Sequence, residues 1–268
     1  MGKSNLLPLT LIAIALGLIV YRLIPDQPAP EPAVVAQTSA PSAAPAQPPD
    51  TEVIERYPIA AATSSPQTYQ PVNPDDSDAA YSAGLMQLVG AEVLSAHFYP
   101  DRMIRRFIAT IDNLPRQEAP AKMMPVKPVG GPFLVQRNAA GMTIDPANAQ
   151  RYVRYLDIMA AVDVRHLVDM YVGLYPVFQQ AYRELGYPRG HFNDRLVDTI
   201  DDLLATPDVA PPIAVAQPKV LYRFSDPALD KRSAGQKIML RMGADNMARA
   251  KQLLIAIRSE LLSRSLGK

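Results

Sequence analysis

The chain has no cysteine. Disulfides, thiolate metal sites, cysteine nucleophiles and a lipidated cysteine are therefore excluded, while reducing and oxidising compartments both stay open. Histidine is scarce: only His97, His166 and His191 are present. Zinc-protease, Walker and nucleophile-elbow motifs are also missing. Gly130 and Gly131 lack the Lys-Ser/Thr ending and the strand-then-helix setting of a phosphate loop. Charge is almost balanced, with 27 Lys and Arg against 26 Asp and Glu.

One long apolar run is present, Leu6 to Ile24, uncharged until Arg22. At about 1.5 Å of helical rise per residue it is long enough to cross a bilayer core of roughly 30 Å. It ends in Tyr21, Arg22, Leu23, Ile24 and Pro25, a poor cleavage site, so it reads as an uncleaved signal anchor. Leu6 occupies the position where a myristoylation signal needs Ser or Thr. Lys3 and Arg22 nearly tie under the positive-inside rule. The short N-terminal tail before a long body has the form of bacterial signal anchors, which places the body outside the cytoplasm. Residues 1–5 are then a tail, 6–24 a transmembrane helix and 25–74 a linker rich in Pro, Ala, Ser, Gln and Thr. That composition predicts a disordered spacer reaching between about 40 Å as a coil and about 150 Å as polyproline II. Tyr57 and Tyr69 read as incidental aromatics within it.

Residues 75–268 read as one mainly helical domain with a minor β-hairpin component. Met103, Ile104, Phe107, Ile108 and Ile111 recur at helical spacing beside Arg102, Arg105 and Arg106, three arginines that face solvent or ion pairs. Phe133 to Gln136 and Met142 to Ile144 form a hairpin, and Ile213 to Ala216 and Val220 to Phe224 are extended. Helical pattern holds from Pro146 to about Leu185, with Pro176 expected to kink or divide it. A further helix, Phe192 to Ala205, puts Leu196, Val197, Ile200, Leu203 and Leu204 on one face. Asp194, Asp198, Asp201 and Asp202 fall opposite, away from the core. The last helix carries Ala250, Leu254, Ile257 and Leu261 as its stripe, with basic residues straddling it, which argues against nucleic acid as a partner. The acidic middle and the basic segment from Lys231 to Lys268 are expected to match each other within the chain.

Two clusters carry chemical potential. Asp194, Asp198 and Asp201 lie about one turn apart with His191 close by, the donor set for a hard divalent cation or for divided acid and base roles. Asp163, His166 and Asp169 follow at intervals of three, more in keeping with a helix N-terminus and a hydrogen-bonded histidine than with a site. A candidate binding surface is the turn Tyr187, Arg189, His191 and Phe192, since loops with aromatics and Arg collect binding energy.

Three stretches, RMIRRFIATIDNLPR, LYPVFQQAYRELGYPRGHFNDRLVDTIDDLLATP and QPKVLYRFSDPALDKRSAGQKIMLRMG, resemble a family of bacterial single-pass membrane proteins whose soluble part is a domain of unknown function. The resemblance covers roughly Asp75 to Leu261 and implies a tethered envelope protein, with no functional residues to carry over. The expected role is a non-enzymatic adaptor, scaffold or assembly factor, without a cofactor, that binds an envelope protein or the cell wall. It would be held in the bacterial inner membrane, with a periplasmic body. The alternative is a metal-dependent envelope hydrolase using His191, Asp194 and Asp198.

Overall fold

The computed structural model describes residues 54–59, 74–127, 129, 131–139 and 141–265. The expected membrane span 6–24, and the linker apart from 54–59 and Pro74, lie outside the described residues. Among those described, no helix is long and apolar enough to cross a membrane.

Helix α1 (Pro74–Val89) starts where the acidic residues after the linker announce it, and α2 (Ala91–His97) follows across Gly90, whose φ of 83° suits glycine. Helix α3 (Met103–Asn113) buries all five of its periodic apolar residues. Its arginines are held by the chain itself. Arg106 binds Asp101 and the Lys122 carbonyl, and Arg105 pairs with Glu184 at 2.9 Å.

Helix α4 (Gln150–Ala160) and helix α5 (Val164–Glu184) divide the long periodic segment, but not at Pro176. The break falls at Ala161 to Asp163, where the Asp163 carboxylate accepts from the amides of Arg165 and His166 and caps α5. Helix α5 runs on through Pro176, because losing one hydrogen bond does not outweigh a buried face that includes Leu167, Tyr171, Leu174 and Phe178. Leu185, just past its end, is exposed.

Helix α6 (Phe192–Leu204), helix α7 (Pro227–Asp230), helix α8 (Ala234–Arg241) and helix α9 (Ala244–Ser265) complete the helical body. α9 packs on α4, α5 and α6 through Ala250, Leu254, Ile257 and Leu261, all buried as their spacing predicts. Gly235 lets α8 close on α6, since a Cβ there would sit 2.5 Å from Leu203 Cδ2.

The two extended regions join into a single sheet. β1 (Val135–Asn138), β2 (Gly141–Ile144), β3 (Ala214–Ala216) and β4 (Arg223–Phe224) are antiparallel neighbours in that order. Val135 stands opposite Ile144, Met142 opposite Val215, and Val215 opposite Phe224. The sheet closes over a small second core of Val215, Phe224, Leu229 and Leu240. Acidic middle and basic end meet as expected: Arg249 with Asp157 at 2.6 Å, Lys251 with Asp208 at 2.9 Å, Arg258 with Asp201 at 2.5 Å and Arg264 with Asp169 at 2.7 Å.

Candidate functional site

The site lies at the start of α6, and the loop before it is fixed from below. Gly186 leaves α5 at a φ of 118°, a conformation that favours glycine. The buried Gln179 side chain then ties the loop to α5. Its amide donates to the Gly190 carbonyl at 2.7 Å, and its oxygen accepts from the Phe192 amide at 2.8 Å and from the Tyr175 hydroxyl at 3.1 Å. Gly190 sits in a tight place, where a Cβ would lie 3.0 Å from the Tyr182 ring and 3.2 Å from Tyr187 Cβ, so any side chain there would press on the stacked rings.

This geometry turns the aromatics of the loop inward and corrects their placement as surface anchors. Phe192 is fully buried among Phe107, Tyr171, Phe178 and Tyr182. Tyr187 stacks on Tyr182 with ring centroids 4.5 Å apart. Its hydroxyl donates to Asp112 Oδ2 at 3.1 Å and accepts from Arg116 at 2.7 Å. Burial first, then the Asp112 charge, raises the Tyr187 pKa above its ordinary value. Arg189 is exposed and His191 partly so.

The second correction concerns Asp194, which faces no solvent: it is only 7% exposed. What covers it is a piece of the stretch read as linker, Ile54 to Ile59. Asp194 Oδ2 accepts from the Arg56 amide at 3.0 Å and Oδ1 from the Tyr57 amide at 2.9 Å. Asn193 Nδ2 donates to the Tyr57 carbonyl at 2.7 Å. Asn193 Oδ1 meanwhile accepts from the Tyr171 hydroxyl at 3.1 Å, which fixes the side-chain amide with its NH2 toward the segment. Burial first, then Tyr175 and Asp194, raises the Tyr171 pKa well above its ordinary value, so this hydroxyl stays a donor. Arg56 reaches Asp198 Oδ2 at 2.6 Å, and His191 Nδ1 lies 3.5 Å from Glu55 Oε1.

Within the segment, Glu55, Tyr57 and Ile59 are partly covered while Ile54, Arg56 and Pro58 are exposed, and the backbone bends at Arg56 and Tyr57, which lets their consecutive amides converge on the one carboxylate of Asp194. Two consecutive amides and one carbonyl of its backbone are read by two adjacent side chains, Asn193 and Asp194, and one of its side chains is read by Asp198.

Asp194 and Asp198 thus share one cation, the Arg56 guanidinium, while His191 meets Glu55 of the same segment. Arg56 Nε stands 3.7 Å from Asp194 and its terminal nitrogen 2.6 Å from Asp198. Among the described residues no group of three or more His, Asp and Glu is placed to hold a metal ion. The Asp163, His166 and Asp169 trio is otherwise engaged, Asp163 as a cap and Asp169 with Arg264.

The family model described as a protein of unknown function, DUF3014, matches residues 103–258, from the first residue of α3 into α9. The chain belongs to the DUF3014 family. The match is narrower than the span of the resemblance noted in the sequence; it contains Asn193, Asp194 and Asp198, while the segment 54–59 precedes it. No curated protein and no solved structure matches the chain. For this member of DUF3014, the local signal that marks the docked segment is an island of charge, aromatic and apolar residues, Ile54 to Ile59, between flanks of Pro, Ala and Ser.

Proposed function

We propose that this DUF3014 protein is a bacterial envelope adaptor, scaffold or assembly factor, held in the inner membrane by a single N-terminal pass, whose periplasmic body binds a short peptide segment of a protein partner. The anchor and spacer assignments come from residues 6–24 and 25–74. The observation that supports a binding role is the grip of Asn193 and Asp194 on the backbone of Arg56 and Tyr57. Two consecutive amides and a carbonyl can be supplied by the backbone of any peptide that bends as Arg56 and Tyr57 do, which supports a peptide-recognition role, and Asp198 adds a preference for a cationic side chain. A carboxylate accepting two backbone amides makes charge-assisted hydrogen bonds, stronger than neutral ones. Tethering such a body near membrane-bound partners raises its effective concentration toward them.

The test is in-cell crosslinking of the full-length chain, followed by mass spectrometry of what is attached. A specific envelope protein is expected with the wild type and is lost with Asp198→Arg, which reverses charge on a side chain 42% exposed and leaves the core intact. Recovery of bulk membrane alone, or of the same protein undiminished by Asp198→Arg, overturns the reading.

A further inference from the structure

We infer that Ile54 to Ile59 is a resident occupant of the recognition face, a strap that a partner must displace, and that the partner presents a segment bent in the same way, with a basic residue followed by an aromatic one. This rests on the peptide-recognition reading above and adds to it both regulation and specificity.

Three features separate the strap from an ordinary structural arm. Its backbone anchors are the main-chain amides of Arg56 and Tyr57 and the Tyr57 carbonyl, groups that any peptide bent in the same way supplies. Its side chains are held only in part: Ile59 packs at the edge of the core and Arg56 pairs with Asp198, yet Ile54 is 79% exposed and the Arg56 side chain 52% exposed. The residues that receive it are organised without it. Asn193 is oriented by Tyr171, and Phe192, at the first turn of α6, is locked by Gln179 and the aromatic core. The receiving face is therefore preformed and the occupant exchangeable.

Cis attachment makes so small a contact sufficient. Only residues 60–73 separate the strap from α1, and a connection of that length holds a segment at an effective concentration on the order of millimolar. A weak intrinsic contact then keeps the face filled, and a free peptide of the same sequence competes poorly until the strap is released. A partner succeeds by improving on the strap where it is thin. Asp198 takes the guanidinium, and Tyr57 stands where an aromatic ring lies next to Arg56, 5.5 Å from its guanidinium carbon.

The test uses the purified full chain in detergent and a fluorescent peptide with the sequence of residues 51–62. In the strap variant, Arg56→Glu places a like charge against Asp198 and Tyr57→Pro removes an amide donor; both changes lie in the strap and alter no residue of the body. The peptide is expected to bind this double variant at least tenfold more tightly than the wild type. Adding Asp198→Asn to the variant, which removes the carboxylate without offering the strap's new Glu an opposite charge, lowers capture of the peptide with Arg to that of a peptide with Ala in its place. Equal binding to wild type and double variant overturns the strap while leaving the recognition face in place. No binding to either, with a lower Tm for the variant, makes the segment a structural arm; the crosslinking experiment then decides separately whether a partner is bound at all.

Discussion

Two carboxylates beside α6 are buried to nearly the same degree, Asp112 at 4% exposure and Asp194 at 7%, and they are satisfied in opposite ways. Asp112 is closed by side chains of the body. Arg116 donates to it at 2.7 Å and the Tyr187 hydroxyl at 3.1 Å. Arg195 Nε stands 3.2 Å away, an ion-pair distance at an angle too poor for a hydrogen bond, while the same guanidinium donates to the Asp112 carbonyl. Asp194 is closed by main-chain amides from a segment more than 130 residues earlier. A carboxylate matched to three specific side chains joins α3, the α5–α6 loop and α6 into one unit. A carboxylate matched to backbone is satisfied by any peptide in the right conformation. The first arrangement secures the fold, and the second leaves a place where chain can be exchanged.

The comparison is broken most sharply at Asp112. Asp112→Ala leaves Arg195 without its counter-charge; with Arg116 discounted because it is partly exposed, the loss is about 3 kcal/mol. For a body of this size that lowers Tm by about 10 °C in thermal denaturation followed by circular dichroism. Tyr187→Phe removes the hydroxyl shared by Asp112 and Arg116 and costs about 1.5 kcal/mol in denaturant titration.

The same variant tests pH dependence. The Tyr187 pKa is raised from 10.0. Above pH 10 the folded state therefore keeps a proton that the unfolded chain has lost. The stability this contributes is complete below pH 10 and is lost as pH rises through the folded value. Tyr187→Phe flattens the fall of Tm above pH 10; an unchanged slope contradicts the assignment.

At the other carboxylate the effect is local. Asp194→Asn costs about 1 kcal/mol globally, but amide hydrogen exchange at Arg56 and Tyr57 accelerates while α3 and α6 keep their protection. Equal acceleration across α6 would place Asp194 with Asp112 as a fold-securing group. Arg56→Ala is the mildest, at most about 0.5 kcal/mol, because its pair with Asp198 is exposed to solvent.

The helices were legible because their apolar residues repeat locally: the stripes of α3, α6 and α9 are buried as their spacing requires. The hairpin of β1 and β2 was legible for the same reason. That β3 joins β2 was not, since Met142 and Val215 are brought together by pairing across three helices, which leaves no periodic trace. At the site, the spacing of Asp194 and Asp198 put both within reach of one cation, Arg56, but it gave neither that partner nor the pairing of His191 with Glu55. Tyr187 and Phe192 turn inward because Gln179 and Gly190 set the course of the loop, and Asp194 is covered by a segment remote in sequence. Period-based reading sees which residues share a face, not what lands on that face from elsewhere in the chain.

Where the strap docks also decides how the molecule bears load. Tension on the N-terminal residues reaches the body first at the Arg56 and Tyr57 amides on α6, before it reaches α1 at Pro74. Those few hydrogen bonds act as a mechanical fuse. Once they part, the face formed by Asn193, Asp194 and Asp198 is uncovered, so a pull on the chain and the arrival of a partner open the same site.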